Sequence, residues 1–242
     1  MNRILFEADE IDAAGNVVLF DERAEHIRAV LRLSVGGVIR SGILNGLGGT
    51  SRILEVDASH VKLATEHTQV MPSPWFDLLL AAPRPKVMKR LWPQLAALGV
   101  RRVVVVNAAK VEKCYFSSQW MNERAYRPLL IEGLTQAGRT TLPEVFIRNR
   151  FKPFIEDELA ECFPTSQRLL AHPGARSKNR LLTHSTDRPL MAIGPEGGWT
   201  EYELALFADH GFQNFSLGTQ TLRTDTACVA LIAVLGWLCC QS

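Results

Sequence analysis

The chain lacks a long apolar run, and this absence excludes one class of protein. None of its 242 residues lies in a run of eighteen or more apolar side chains, so no membrane-spanning helix is expected. The first stretch, MNRILFEADEIDAAG, contains acidic residues where a secretory signal needs an uninterrupted apolar segment. We therefore expect a cytoplasmic protein that does not enter a membrane.

Cysteine is scarce as well. The chain has five cysteines, an odd number, and no two of them are spaced as CxxC. An odd number argues against a complete set of disulfides, and the missing spacing argues against a metal site. We expect reduced, mostly buried thiols and no bound metal. The cysteines are Cys114, Cys162, Cys228, Cys239 and Cys240.

Net charge is also small, at +2, but it is unevenly distributed. Residues 84–152 carry 14 basic and 4 acidic side chains, whereas residues 153–242 carry 6 and 10. A basic block in a nearly neutral chain is typical of a surface that binds a polyanion. A solvated surface balanced by acids elsewhere explains it too, and charge by itself favours that second interpretation.

Residues 1–70 have the pattern of a small β-rich domain. Short runs with β-branched residues are separated by Gly, Asn and Asp, as in GNVVLF, GGVIRSGIL, TSRILEVDA and HVKLATEH. One helix, DERAEHIRAVLRL, interrupts them with Ile27, Val30 and Leu31 on one face. The pattern predicts a compact barrel. MPSP at 71–74 is the predicted linker, since proline disfavours helix and central strand alike.

From residue 75 onward, strands and helices alternate. The predicted strands are WFDLLLAA, RRVVVVNA, PEVFIR, QRLLAH, RPLMAIG and NFSLG. The predicted helices are PKVMKRLWPQLAALG, a long one around 118–137, a short one near 154–161, TEYELALFADHG and one from about Asp225 to Leu238. Continuous apolar strands alternating with helices predict an α/β domain with a parallel sheet covered on both faces.

The stretch AIGPEGGWTEYE combines a strand, a glycine turn and a helix start. Thr200 and Glu203 fit a capping box, so a helix is predicted directly after the glycines. Such a turn presents backbone N–H groups at the carboxyl edge of the sheet, where α/β folds bind ligands. The spacing is neither the dinucleotide fingerprint nor the P-loop. The pattern alone leaves two interpretations open, a ligand loop or a turn that only connects two elements.

Three segments resemble the cofactor pocket of a known family. IGPEGGWTEYE, LGTQTLRTDTA and LAHPGA are similar to the pocket segments of the RsmE family, which are SPOUT-class RNA methyltransferases that use S-adenosylmethionine. HIRAVLRL at 26–33 and EGLTQAGRTTLP at 132–143 are similar to further family segments. The resemblance covers nearly the whole chain.

This resemblance implies a fold and an activity. The fold is a PUA-like RNA-binding barrel over residues 1–70, followed by a SPOUT domain over residues 75–242 that contains a C-terminal trefoil knot. The activity is methylation of uridine N3 in small-subunit (16S) ribosomal RNA, within a small-subunit particle. The family also implies a homodimer. The last helix, DTACVALIAVLGWL, is apolar on nearly every face, so it is buried either in a dimer interface or by the domain's own core.

One region departs from the family pattern. Where the family has a Lys-Gly-rich segment and a KxxELG-like helix end, this chain has Pro85 and Lys86, then Gln94 and Ala97. The family's ER-containing loop is replaced by NAAKVEK at 107–113. Two alternatives therefore stay open: a SPOUT methyltransferase that acts on a different RNA nucleotide, and a catalytically silent RNA-binding assembly factor.

The resemblance also implies functional residues. Arg223 would stabilise the anion that develops on the base, because guanidinium stays charged and has a fixed fork of donors; a structural ion pair is its alternative. Glu196 is the second implied catalytic residue, which would neutralise the sulfonium or accept a hydrogen bond from the cofactor; its alternative is an acid at a helix N-terminus. His172 is assigned to the pocket, and no general base is identified. The implied cofactor-binding set is Leu170, His172, Gly194, Pro195, Glu196, Gly197, Gly198, Leu217, Gly218, Leu222 and Arg223.

RNA contacts are expected from basic side chains. The basic block supplies four candidates, the region near the pocket one more, and the N-terminal helix two that are spaced i, i+4. Phosphate contacts of this kind position an RNA without reading its sequence. The candidates are Arg84, Lys86, Lys89, Arg90, Arg139, Arg28 and Arg32.

Overall fold

The chain folds into two units. The structure, a computed structural model, describes residues 3–164, 167–173 and 188–240. The first unit comprises Met1–Ser73 and Ile131–Leu142, and the second comprises Pro74–Leu130 and Pro143–Ser242. The division after Ser73 falls inside the MPSP linker. Residues 131–142, which the sequence assigned to the second domain, belong with the first unit.

The first unit is built on a five-stranded mixed sheet in the order β1-β3-β4-β5-β2. The strands are β1 Ile4–Phe6, β2 Asn16–Leu19, β3 Val38–Ile43, β4 Gly48–Val56 and β5 Val61–Gln69. β1 is parallel to β3, and the other pairs are antiparallel. Inward side chains such as Phe6, Ile53 and Leu63 form its core with Ile27 from the helix. Because side chains alternate along a strand, the residues before and after each inward-facing residue point to the outer face.

The N-terminal helix is irregular and shorter than predicted. It comprises α1, Glu22–Glu25, which continues as a π-helical segment, His26–Leu31. Arg32 has φ 51 and ends the helix in the left-handed region. Arg28 therefore lies within the π-helical segment, and Arg32 lies at its C-terminal cap. Arg28 forms an ion pair with Glu25 at 2.8 Å.

Arg3 explains why residues 131–142 belong to the first unit. Its side chain is buried and donates to the carbonyl oxygens of Gly138 (3.1 Å) and Ser41. Its backbone N–H donates to Thr135 O at 3.0 Å. Burial lowers the pKa of Arg3. Nothing local in the sequence predicts these contacts, because their partners are far apart along the chain.

The second unit contains a six-stranded parallel sheet in the order β11-β9-β10-β6-β7-β8. Its strands are β6 Phe76–Ala81, β7 Val100–Val106, β8 Glu144–Arg148, β9 Gln167–Ala171, β10 Pro189–Ile193 and β11 Gln213–Phe215. All residues of β6 and β10 are buried, as expected for central strands covered on both faces. The predicted parallel sheet is confirmed.

The helices after the linker start and end largely where predicted. α2, Pro85–Leu98, begins with proline and ends at Gly99, whose φ is 83. α3, Glu123–Ala137, starts later than predicted because Gln119–Met121 forms a 3-10 turn. The short helix consists of α4 Phe151–Pro153, a π-helical Phe154–Glu158 and α5 Leu159–Cys162. α6 is Glu201–Asp209, and α7 is Thr224–Cys240.

The last helix, α7, is apolar but only partly covered. Cys228, Ile232 and Leu235 are buried in the unit's own core. Val229 and Trp237 remain 37% and 60% exposed. The expectation of mostly buried thiols was wrong, because Cys228 is buried whereas Cys114 and Cys239 are exposed and Cys162 is half-buried. In the described part of the chain, no helix is long and apolar enough to cross a membrane.

Candidate active site

A pocket opens at the carboxyl ends of β9, β10 and β11, entirely within the second unit. It contains about 680 Å³ of empty space, part of which is open to solvent. The position is where open α/β sheets bind ligands. The lining residues are Ala171, His172, Pro173, Ile193, Gly194, Pro195, Glu196, Gly198, Trp199, Phe215, Ser216, Leu217, Gly218, Gln220, Thr221, Leu222, Thr224, Ala227 and Leu231.

The glycine loop that follows β10 forms one wall of this pocket. Gly198 has φ 68, and its N–H donates to Pro195 O at 2.8 Å, which closes a tight turn. Thr200 then caps α6: its hydroxyl accepts from the backbone N–H of Glu203, and the Glu203 carboxylate accepts from the N–H of Thr200 at 2.8 Å. The predicted strand, glycine turn and capped helix are confirmed.

Glu203 has a second role that the sequence did not predict. It is only 2% exposed, and its Oε1 accepts the backbone N–H of Ala109 at 2.8 Å. This bond joins the glycine loop to the segment that follows β7. Lys110 adds a further link, because its Nζ donates to Gly197 O at 2.8 Å. The capping-box pattern identifies Glu203, but nothing in it indicates a partner 94 residues away.

A second part of the lining is the loop between β11 and α7. Gly218 has φ 131, a conformation that side chains with a Cβ rarely adopt. The hydroxyl of Ser216 donates to Gly218 O at 2.8 Å and accepts the Gly218 N–H at 3.1 Å. Thr224, at the start of α7, is buried and lines the pocket. Both glycine-containing loops therefore line the pocket.

The structure brings most of the predicted cofactor residues to this pocket. Three do not line it. Leu170 is buried within β9, Arg223 is exposed to solvent, and Gly197 packs against Lys110. The residues that line it as predicted are His172, Gly194, Pro195, Glu196, Gly198, Leu217, Gly218 and Leu222.

Sequence reasoning missed several lining residues. Trp199 follows the double glycine directly, is 5% exposed, and its ring lies about 3 Å from the position that a Cβ on Gly194 would occupy. Gly194 is therefore required for the ring to pack there. Gln220 and Thr221 lie inside the quoted LGTQTLRTDTA segment, so a search of that segment for polar side chains finds both.

The basic block lies partly at the same edge of the sheet. Arg84 precedes α2, and it is exposed, as are Lys86, Lys89 and Arg90 within the helix. The Nζ of Lys89 lies 4.9 Å from the centre of the Trp120 ring. Arg90 forms an ion pair with Asp225 at 2.8 Å, so its charge is partly neutralised. All four predicted cations of this block thus face solvent, and one of them already has an acidic partner.

Arg139 has a different environment. It belongs to the first unit, whereas every pocket-lining residue belongs to the second. Burial lowers the pKa of Arg139. Across the residues that the structure describes, no group of three or more His, Cys, Asp or Glu side chains is arranged to hold a metal ion.

Comparison with known proteins explains this arrangement. Residues 71–236 match the family model of the RNA methyltransferase domain. The ribosomal RNA small subunit methyltransferase E of Treponema pallidum is 32% identical to this chain, over 97% of this chain and 90% of that protein. The chain belongs to the RsmE family. The resemblance seen in the glycine loop and the Leu-Arg-Thr segment is therefore confirmed.

Solved structures share the RsmE fold with this chain. The ribosomal RNA small subunit methyltransferase E of Neisseria gonorrhoeae, bound to S-adenosylmethionine, superposes with a TM-score of 0.78, at 23% identity and 98% coverage of each chain. A putative methyltransferase of Legionella pneumophila, also in complex with that cofactor, gives a TM-score of 0.74 at 21% identity, again with 98% coverage of each. The predicted fold, a PUA-like barrel followed by a SPOUT domain, is confirmed.

Proposed function

We propose that this RsmE-family chain transfers the methyl group of S-adenosylmethionine to small-subunit ribosomal RNA. The observation that carries the proposal is the pocket between the two glycine-containing loops, in a chain whose family members are ribosomal RNA methyltransferases. The solved relatives from N. gonorrhoeae and L. pneumophila hold the cofactor and share this fold.

The residues of the pocket fit such a cofactor. Most of the wall is apolar, which suits the adenine and the methionine carbon chain, and His172, Gln220 and Thr221 add polar groups. Glu196 contributes the acidic side chain of the lining, and a carboxylate there favours a ligand that carries a positive sulfonium. Gly218 allows the backbone to turn without a side chain filling the space.

When bound, S-adenosylmethionine supplies an electrophilic methyl group. The proposed acceptor is uridine N3, whose proton must leave before its lone pair can attack. Arg223 is proposed to stabilise the resulting negative charge on the base. It is exposed and does not line the pocket, while its carbonyl oxygen accepts the N–H of Ala227 at 2.7 Å. Its backbone is thus fixed by α7 and its side chain is available to the RNA, which favours a role toward the base over one toward the cofactor.

Phosphate contacts are proposed for the exposed cations of α2. Arg84, Lys86 and Lys89 follow β6 at the carboxyl edge of the sheet, the same edge as the pocket. They would hold the strand while its target base reaches the pocket. Arg28, Arg32 and Arg139 remain candidates in the first unit. Arg90 is a weaker one because Asp225 already pairs with it.

Four further expectations belong to this proposal. They are a homodimer, a trefoil knot in the C-terminal segment, a cytoplasmic location and a substrate presented in a small-subunit particle. The exposed Val229 and Trp237 of α7 support the dimer, because an apolar helix face left uncovered in one chain is suited to a partner copy. Sedimentation at micromolar concentration tests it, and a monomer there would contradict it.

Two alternatives compete with uridine N3 methylation. The changed segments at 84–99 and 107–113 favour a methyltransferase that acts on another nucleotide. A catalytically silent assembly factor is less well supported, since the pocket loops are preserved.

The test combines cofactor binding with mapping of the product. Calorimetry with S-adenosylhomocysteine is expected to show one site per chain, and absence of binding at millimolar concentration would overturn the proposal. Small ribosomal subunits from a deletion strain are then treated with the purified protein and cofactor, and their RNA is mapped by mass spectrometry. A methyl group on uridine N3 supports the proposed reaction, a different methylated nucleotide supports the first alternative, and binding without methylation supports the second.

A further inference from the structure

The segment after β7 is fixed to the cofactor loop. Ala109 donates its N–H to the buried Glu203, and Lys110 donates to Gly197 O. The carbon chain of Lys110 also lies 3.1 and 3.3 Å from the position that a Cβ on Gly197 would occupy. Val111, the next residue along the segment, is buried. A side chain that follows on this segment is therefore held in a defined position relative to the pocket.

Tyr115 is such a side chain. It ends the 3-10 turn Lys113–Tyr115, and it is half-buried. Its hydroxyl donates to Glu112 Oε1 at 3.1 Å, and its backbone N–H donates to Glu112 O at 3.0 Å. The two bonds restrict both ends of the residue. The two bonds to Glu112 thus hold the ring in place.

Tyr115 lies near charged groups of both α2 and the pocket wall. Arg84, at the start of α2, and Glu196, on the pocket wall, are close enough for their charges to affect the pKa of the phenol. Burial raises the pKa of Tyr115, and the bond to Glu112 raises it further, so the phenol stays neutral at physiological pH. The ring therefore adds no negative charge that would repel a phosphate.

Cations and a second aromatic ring lie along the same elements. Arg84, Lys89 and Lys113 are exposed, and Lys89 lies over Trp120. The acids among them are Glu112 and Glu196. Proteins bind single-stranded RNA with aromatic rings interleaved with cations. Unstacked bases stack on the rings, and phosphates contact the cations. An acidic peptide would use the cations and leave the ring without a role.

We propose that Tyr115 is a stacking platform for an unstacked base of the RNA substrate, held beside the cofactor pocket by Glu112 and by the Ala109 and Lys110 contacts. The inference rests on the proposed function, since it concerns the same substrate, and it names a recognition residue just after residues 107–113.

The test is a comparison of two RNA probes with the full-length protein. One probe is a fluorescein-labelled oligouridine, and the other is an abasic ribose-phosphate strand of the same length and label. Fluorescence anisotropy gives the affinity of each. Stacking on an aromatic ring contributes to binding only where a base is present. Tyr115→Ala is expected to weaken oligouridine binding roughly five- to a hundredfold and to leave the abasic strand unchanged.

Three variants serve as controls. Tyr115→Phe keeps the ring and removes the Glu112 bond, so it is expected to stay within a few-fold of the original affinity. Tyr202→Ala removes another tyrosine of the same unit, which is 55% exposed. It is expected to leave the affinity for both probes unchanged. Lys89→Ala is expected to weaken both probes alike, because a phosphate contact does not depend on the base.

Three outcomes would overturn the proposal that Tyr115 is a stacking platform. It fails if Tyr115→Ala binds oligouridine as tightly as the unchanged protein does, or if it lowers the affinity for both probes equally. It also fails if Tyr115→Phe weakens binding as much as Tyr115→Ala. S-adenosylhomocysteine binding, measured in the same preparations, separates the two proposals and reports folding. Normal cofactor binding with unchanged oligouridine affinity rejects the platform alone, whereas an unchanged protein that does not bind the cofactor rejects the proposed function.

Discussion

The two sides of the candidate site are built in different ways. The cofactor side consists of two loops whose shape depends on glycine and on a local cap, as at Gly198, Gly218 and Thr200. The side expected to meet RNA consists of side chains on α2 and on the segment after β7, and long-range bonds hold that segment in place. Lys110, an exposed residue of the second side, also contacts the first through Gly197 O. Substitutions of the glycines or the cap are therefore expected to act on the cofactor side, and substitutions of the exposed cations of α2 on the RNA side.

The largest effect is expected at Gly218. Gly218→Val places a β-branched side chain at φ 131 in a loop that lines the pocket, so S-adenosylhomocysteine affinity is expected to fall by about a hundredfold or more. Gly211→Val is the matched control, since Gly211 also has a positive φ (78) but does not line the pocket. Calorimetry on both variants checks this. Equal decreases in the two would mean that strain, rather than position, controls binding.

Arg223→Ala tests whether Arg223 acts on the target base and not on the cofactor. The single-turnover rate at saturating RNA and cofactor is expected to fall roughly a hundredfold, the decrease typical of removing one oxyanion donor. Cofactor affinity is expected to stay close to its original value, because Arg223 does not line the pocket. Arg150→Ala, at another exposed arginine of the same unit, is the control. A wild-type rate, or a defect confined to cofactor affinity, would contradict the assignment.

Glu203→Gln breaks the bond between the two sides. An amide has one acceptor oxygen, whereas the carboxylate accepts from Thr200 on one oxygen and from Ala109 on the other. One N–H is left unsatisfied, which is expected to lower the free energy of unfolding by about 1–3 kcal/mol and cofactor affinity by roughly tenfold. Denaturant unfolding and calorimetry measure these changes. Glu201→Gln, in the same first turn but exposed, should change either quantity only slightly.

Lys86→Ala combined with Lys89→Ala tests the RNA side alone. The slope of log affinity against log salt is expected to decrease by about one unit for each phosphate that the variant no longer neutralises. The rate at saturating RNA should be unchanged, because uniform binding does not determine the chemical step. Arg90→Ala should have a smaller effect, since Arg90 already pairs with Asp225. A salt dependence that the double variant leaves intact would exclude these lysines from phosphate binding.

The smallest effect is expected at Gly197. A Cβ there meets only the flexible Lys110 side chain, at 3.1 Å and beyond, and not the pocket. Gly197→Ala is therefore expected to change S-adenosylhomocysteine affinity by no more than about threefold, since a flexible side chain can move to another rotamer. Calorimetry measures the change. A decrease comparable to that of Gly218→Val would mean that Gly197 approaches the cofactor directly.

Local patterns in the sequence determined much of this protein. Proline at the start of α2 and glycine at its end, the capping box of Thr200 and Glu203, and the apolar runs of β6 and β10 each predict an element within a few residues of themselves. Such signals work because caps, backbone conformation and burial periodicity act over one or two helical turns. The family resemblance likewise depends on short contiguous segments.

Only the tertiary structure decided which distant groups meet. It assigned residues 131–142 to the first unit through Arg3, brought Ala109 to Glu203, paired Arg90 with Asp225, and left Leu170, Gly197 and Arg223 outside the pocket lining. Arg90 and Asp225 lie 135 residues apart, and the residues around each of them do not predict that the two will pair. Hydrogen bonds and ion pairs depend on position in space, and packing of the sheet and its helices sets that position after the local patterns have formed the elements.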